Sequence, residues 1–179
     1  MRAAARAHSA NVNIMTAFLS RLTRVNDQIA AWALGISALG LIAMTAFTGW
    51  QVFGRYVLND SPQWVERTAL LLVLYFTFLA GAVGVREESH LGISFVNEAM
   101  PPVLRRAVGI VVFLIVAAFG AVLAWNGVLL VRETWDVATP IIRIPEGATY
   151  FAIPLGGVLI VSFALELMLR LVVGSKDAA

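Results

Sequence analysis

An apolar run of 18 residues, 68–85, is the feature that most constrains what this chain can fold into. At about 1.5 Å per residue, a helix of this length just crosses the roughly 30 Å hydrocarbon core of a bilayer. Glu66 and Arg67 precede the run, and Arg86 and Glu87 follow it. Because charges close the run at both ends, the sequence predicts a transmembrane helix here.

Three further apolar runs, about 29–53, 107–131 and 150–173, have the same character. Of the 179 residues, 60% are hydrophobic and 13% charged, against about 45–50% and 25% in soluble domains. The sequence therefore predicts an all-α integral membrane protein, with one four-span membrane domain over residues 29–173. Little chain is left for a soluble domain, so chemistry outside the membrane would need a second polypeptide.

The first 28 residues are polar and basic and are predicted to form a cytoplasmic amphipathic helix. Ile14, Phe18, Leu22, Val25 and Ile29 recur at steps of three and four residues, which is helical periodicity. This segment either lies on the inner membrane surface or extends the first span. A cleaved signal peptide is not expected, because the following run exceeds the usual apolar core of about 7–15 residues. Residues 174–179 are expected to be a cytoplasmic tail.

The distribution of Lys and Arg predicts the orientation. With the N-terminus inside, the inner segments hold nine of these residues and the outer segments hold four. The positive-inside rule then places both termini in the cytoplasm. The net charge of +2 is small and scattered, which argues against a nucleic-acid partner.

Residues 60–63 are predicted to begin a helix. Asp60 or Ser61 can cap the first free N–H groups, and Pro62 suits the first turn. Two interpretations of the polar residues that follow stay open. In the first, they complete an ordinary outer helix terminus. In the second, Trp64 and Glu66 face a partner protein, because placing a tryptophan or a carboxylate near the hydrocarbon edge costs free energy unless it is anchored or paired.

Residues 86–100 mix apolar and polar side chains, which predicts a short interfacial helix between spans two and three, broken by Pro101 and Pro102. His90 in this segment is one of only two histidines, the other being His8. A lone histidine is more often a hydrogen-bonding surface group than a metal ligand. Haem-carrying membrane anchors need histidines within their spans, and this chain has none there.

Glu166 and Arg170 lie four residues apart in span four, so they share a helix face and can pair. The pair is either a local bridge or a contact between subunits. The chain has no cysteine and shows no nucleophile with a base, no phosphate-binding loop and no metal-ligand spacing. No catalytic residue, cofactor or metal is expected, and the chain is not expected to be an enzyme.

The order of these features resembles the small membrane subunit, the Q-type or DctQ-like subunit, of tripartite ATP-independent periplasmic (TRAP) transporters. The resemblance covers roughly residues 53–156. The residues that carry it, in chain order, are Phe53 to Tyr56, Trp64, Glu66, Gly81, Arg86, His90, Pro101, Arg105 or Arg106, Ile144, Pro145, and Tyr150 to Gly156. The chain departs from the family pattern at two positions. A single glutamate, Glu66, follows the tryptophan where the family often has two, and Ser94 follows the histidine where the family often has an aspartate.

The resemblance implies a scaffold subunit that supports a large, multi-span, elevator-type permease subunit. That transporter would take up an organic acid with sodium, delivered by a periplasmic binding protein. The near absence of ionisable residues in the spans agrees with a scaffold, because substrate and ion pathways need such residues. Besides the other subunits, membrane lipids are expected to contact the chain. The candidate anchors at a subunit interface or at the membrane interface are Arg55, Trp64, Glu66, Gly81, Arg86, His90, Glu166 and Arg170.

Two other classes of function are alternatives. One is a four-span membrane anchor of a respiratory or quinone-linked enzyme, which histidines in the spans or a haem absorption band would favour. The other is a small multidrug-type exporter, which would need a glutamate well inside a span. Glu66 and Glu166 both lie near span ends, which counts against the exporter.

Overall fold

The computed structural model describes residues 2–60, 63–97, 101–137 and 144–173. Its helices are α1 (Arg2–Phe53), α2 (Gln63–Asn97), α3 (Pro102–Thr134), α4 (Glu146–Tyr150) and α5 (Ala152–Val173). One turn of π-helix, Gly54–Leu58, follows α1. Four stretches are long and apolar enough to cross a membrane, namely Leu19–Leu58, Trp64–Glu87, Leu104–Thr134 and Glu146–Val172. The predicted all-α fold with four spans is confirmed, and each predicted span overlaps one of these stretches.

Two helices extend beyond the predicted spans. The N-terminal segment extends the first span, which is one of the two predicted alternatives, because α1 runs unbroken from Arg2 to Phe53. The segment predicted as a short interfacial helix is instead the continuation of α2 to Asn97. Between residues 86 and 97 only Gly92 is a poor helix former, at about 1 kcal/mol, and the first strong breaker is the proline pair at 101 and 102.

The end of the first span is closed by backbone hydrogen bonds. Asn59 adopts a left-handed conformation with φ of 52°, and its amide donates to the carbonyl of Gly54. The amide of Asp60 donates to the same carbonyl at 3.1 Å. These bonds satisfy a carbonyl that the helix end would leave free. Ser61 and Pro62, predicted to begin α2, lie outside the described residues.

The long helices pack in the order α1, α2, α5, α3. Helix α2 contacts α1 and α5, and α5 also contacts α3, whereas α1 and α3 do not meet within the described residues. Half of the span in α5 is buried, against 11% of the span in α3. Helix α5 is therefore the centre of the bundle, and α1 and α3 form its two flanks.

Small residues bring α3 and α5 together. A Cβ atom on Gly157 would lie 2.6 Å from the backbone nitrogen of Ala124 and 2.7 Å from the carbonyl oxygen of Gly120. A Cβ on Gly127 would meet the ring of Pro154 at 2.7 Å. Small residues let two backbones approach closely, which is a main source of attraction between helices in lipid. The intramolecular glycine contacts thus fix α3 against α5.

Candidate functional site

Polar side chains from three helices meet inside the bundle at one end. Asn26 lies in α1, Arg86 in α2 and Glu166 in α5. The Glu166 side chain is fully buried and Asn26 is 1% exposed. Asn26 shares the inward face of α1 with Ala30 and Ala33, at the three- and four-residue spacing of one helix face. The fold therefore carries a carboxylate and an amide into its core.

Both carboxylate oxygens of Glu166 have partners. Asn26 Nδ2 donates to Oε2 at 2.6 Å, and Arg170 Nη2 donates to Oε1 at 2.6 Å. Arg86 Nη2 lies 3.6 Å from the same Oε1. A buried carboxylate held by two guanidinium groups and an amide keeps its charge compensated.

A second set of contacts surrounds these three residues. Arg170 also donates to Thr23 Oγ1 at 3.0 Å, and Ser162 Oγ donates to Asn26 Oδ1 at 3.1 Å. Arg86 donates to Asp27 Oδ1 at 2.5 Å, and its guanidinium lies 5.6 Å from the centre of the Phe163 ring. We call these eight residues the polar cluster: Thr23, Asn26, Asp27, Arg86, Ser162, Phe163, Glu166 and Arg170.

The charges of the polar cluster balance, since Asp27 and Glu166 face Arg86 and Arg170. Among the described side chains, no buried nitrogen or oxygen lacks a hydrogen-bond partner. A cavity of about 430 Å³ opens beside the cluster and is lined in part by Asp27, Arg86 and Arg170. Because its polar atoms are satisfied by one another, the cluster is suited to holding α1, α2 and α5 in register.

The sequence anticipated part of this cluster. The predicted pairing of Glu166 with Arg170 is present, and Arg86 reaches the same carboxylate. Sequence reasoning did not single out Asn26, Asp27 or Ser162. The available signal was Asn26, a polar residue at an apolar-face position between Leu22 and Ala30. Such a residue on a buried face needs a polar partner.

The other candidate anchors lie away from the cluster. Arg55, Trp64 and Glu66 are exposed near the junction of the first two spans. The ring of Trp64 packs edge-on against Phe47 of α1, with centroids 5.9 Å apart. Within the described part of the chain, the Glu66 carboxylate makes no hydrogen bond or ion pair. The side chain of His90 lies outside the described residues.

Several glycines of the first two spans face open space. A Cβ atom on Gly35, Gly81 or Gly84 would meet no atom within 4 Å. Large apolar side chains are exposed on α1, where Trp32 is 74% and Leu39 is 68% accessible. Helix α3 exposes a similar apolar surface around Ile115. The surfaces of α1 and α2 differ from that of α3 in combining exposed apolar side chains with glycines that no other described residue covers.

Among the described residues, no group of three or more His, Cys, Asp or Glu side chains is arranged to hold a metal ion. The polar cluster pairs its carboxylates with arginines, whose cations would repel a metal ion.

Comparison with known proteins gives a consistent result. The family model for "Tripartite ATP-independent periplasmic transporters, DctQ component" matches residues 44–174. The chain is similar to the sialic acid TRAP transporter small permease protein SiaQ of Vibrio cholerae serotype O1, with 25% identity over 78% of this chain and 82% of the relative. It is similar to the C4-dicarboxylate TRAP transporter small permease protein DctQ of the same organism, with 22% identity over 89% and 78%. The ectoine TRAP transporter small permease protein TeaB of Halomonas elongata shares 28% identity over 68% and 64%.

Proposed function

The chain belongs to the DctQ component family of TRAP transporters, and from this premise we propose that it is a scaffold that supports a large elevator-type permease subunit. As a TRAP small permease subunit it is a multi-pass membrane protein and not an enzyme. Family membership also decides between the transporter and the respiratory-anchor alternative, in favour of the transporter.

The scaffold role is supported most directly by the polar cluster, in which the buried carboxylate is hydrogen-bonded to side chains of this same chain. Glu166 is the buried carboxylate of the described spans, and amide and guanidinium groups of this same chain occupy its oxygens. A site that binds a substrate or coupling ion needs polar groups available to that ligand. The groups that carry substrate and sodium therefore belong to the large subunit in this proposal.

The proposed transporter takes up an organic acid with sodium, delivered by a periplasmic binding protein. Two of the similar small permease proteins are named for acids, sialic acid and C4-dicarboxylates, and the third for ectoine. A bacterial inner membrane is the proposed location. Both termini are proposed to lie in the cytoplasm, because nine of the 13 Lys and Arg residues then lie inside.

The contact with the large subunit is proposed to use spans one and two. Gly35 and Gly81 leave room for a neighbouring helix, and close packing at small residues is what holds helices together in lipid. Arg55, Trp64, Glu66 and His90 lie near the two ends of these spans and would set the height of the subunit, whereas Arg86 is engaged within the polar cluster. Glu166 and Arg170 contribute indirectly, by fixing α1 against α2 and α5.

Affinity purification from native membranes tests the function. A tagged copy of this chain is expected to retain a large multi-span permease, and the complex in proteoliposomes is expected to take up a C4-dicarboxylate, sialic acid or ectoine only with its binding protein and a sodium gradient. Recovery of the chain with subunits of a respiratory enzyme and a haem absorption band would contradict the proposal.

A further inference from the structure

A groove between α2 and α4 lies at the end of the bundle opposite the polar cluster. It has a volume of about 280 Å³ and is lined by side chains that include Arg67, Leu70, Leu71, Leu74, Glu146 and Tyr150. The Tyr75 hydroxyl donates to the carbonyl of Ala148 at 2.8 Å and so ties α2 to α4. We call this feature the α2–α4 groove.

The lining of the α2–α4 groove changes from charged to apolar along α2. Arg67 stands near the start of the helix, and Leu70, Leu71 and Leu74 follow it over the next two turns. Seven residues of helix separate Arg67 from Leu74, a rise of about 10 Å. A phospholipid presents the same order at a membrane surface, with a charged headgroup above a hydrocarbon chain.

Two residues of opposite charge line the same groove. Arg67 and Glu146 both line it, and within the described part of the chain neither side chain makes an ion pair or side-chain hydrogen bond. A guanidinium group binds phosphate well, and a carboxylate accepts hydrogen bonds from an ammonium group. Together they complement a headgroup that carries a phosphate and an amine.

We propose that the α2–α4 groove binds a phospholipid with a primary-amine headgroup. The lipid phosphate lies at Arg67, its ammonium donates to the Glu146 carboxylate, and the start of one acyl chain lies along Leu70, Leu71 and Leu74. A trimethylated headgroup fits less well because it has no N–H to donate.

Native mass spectrometry of the full-length chain tests the proposal, with phosphatidylethanolamine and phosphatidylcholine of the same acyl composition as probes. The unmodified chain is expected to retain the ethanolamine lipid about fivefold better than the choline lipid. Glu146→Gln should abolish this preference, and Arg67→Gln should weaken retention of both lipids. Glu133→Gln makes the same charge change at the exposed end of α3, outside the groove, and should leave the preference intact.

Three results would overturn the proposal. The first is equal retention of the two lipids by the unmodified chain, and the second is a preference that survives both Glu146→Gln and Arg67→Gln. The third concerns the whole complex. If a photo-crosslinking residue at position 70 couples to the large permease subunit and not to lipid, the groove is a protein contact.

Discussion

At the scale of single residues, Glu166 shows what a buried charge requires in this fold. Its side chain is fully buried, and its partners come from α1, α2 and its own helix. Removing one partner of a buried ion pair costs much more free energy than the intact pair contributes, because an uncompensated buried charge remains. Glu166 therefore matters to stability mainly because it compensates the charges of Arg86 and Arg170.

We predict that Glu166→Ala destabilises the chain by about 3 kcal/mol, because it leaves Arg86 and Arg170 without their shared carboxylate. Thermal unfolding of the purified protein in detergent measures the change. Glu87→Ala is the matched control, since Glu87 is exposed next to Arg86. Equal unfolding temperatures for the two variants would show that the polar cluster contributes little to stability.

The residues of the cluster were predictable only where sequence spacing determines contact. Glu166 and Arg170 are four apart, so any helix places them together. Asn26 and Glu166 are 140 positions apart, and their contact depends on how α1 packs against α5. Helical periodicity gives the face of a residue but not the helix it will face, so Asn26, Asp27 and Ser162 were missed.

At the scale of helices, the sequence patterns located the spans better than their ends. Hydropathy finds the apolar stretch that membrane thickness requires, but a helix continues into polar sequence until a residue breaks it. Residues 2–34 contain no proline or glycine, and α1 accordingly includes the whole N-terminal segment. Local breakers therefore decide where these helices end.

Glycines divide into those that hold the chain together and those that face outward. We predict that Gly157→Val destabilises the isolated chain, because even a Cβ atom at Gly157 would lie 2.6 Å from the backbone of Ala124. Gly35→Val is the control, since a Cβ atom there would meet nothing within 4 Å. Unfolding temperatures of the purified variants provide the comparison. Equal temperatures would mean that α3 and α5 are not fixed by this contact.

Gly81 provides the corresponding prediction for the partner. Gly81→Leu should leave the unfolding temperature of the isolated chain unchanged, because the position is open, yet it should reduce co-purification with the large subunit. Ile115→Leu, on the exposed face of α3, should change neither quantity. Should Gly81→Leu retain the complex while bulky changes on α3 dissociate it, the proposed contact face is wrong.

At the scale of the whole molecule, orientation connects the bundle to its membrane. The chain contains no cysteine, so single cysteines can report sidedness without further changes. We predict that a cysteine at Asn59 reacts with an impermeant reagent from the periplasm, and that one at Asn97 reacts only after the membrane is opened. Labelling from the periplasm at Asn97 but not at Asn59 would show that the orientation is the opposite of the predicted one.

The central claim is that this chain supports transport without binding what is transported. The most direct test is sodium-driven uptake by the purified complex in proteoliposomes, with the rate normalised to the amount of complex. For Glu166→Ala we predict a lower yield of complex and an unchanged KM for both substrate and sodium. A normal yield of complex with a selectively altered KM for either would contradict the scaffold account.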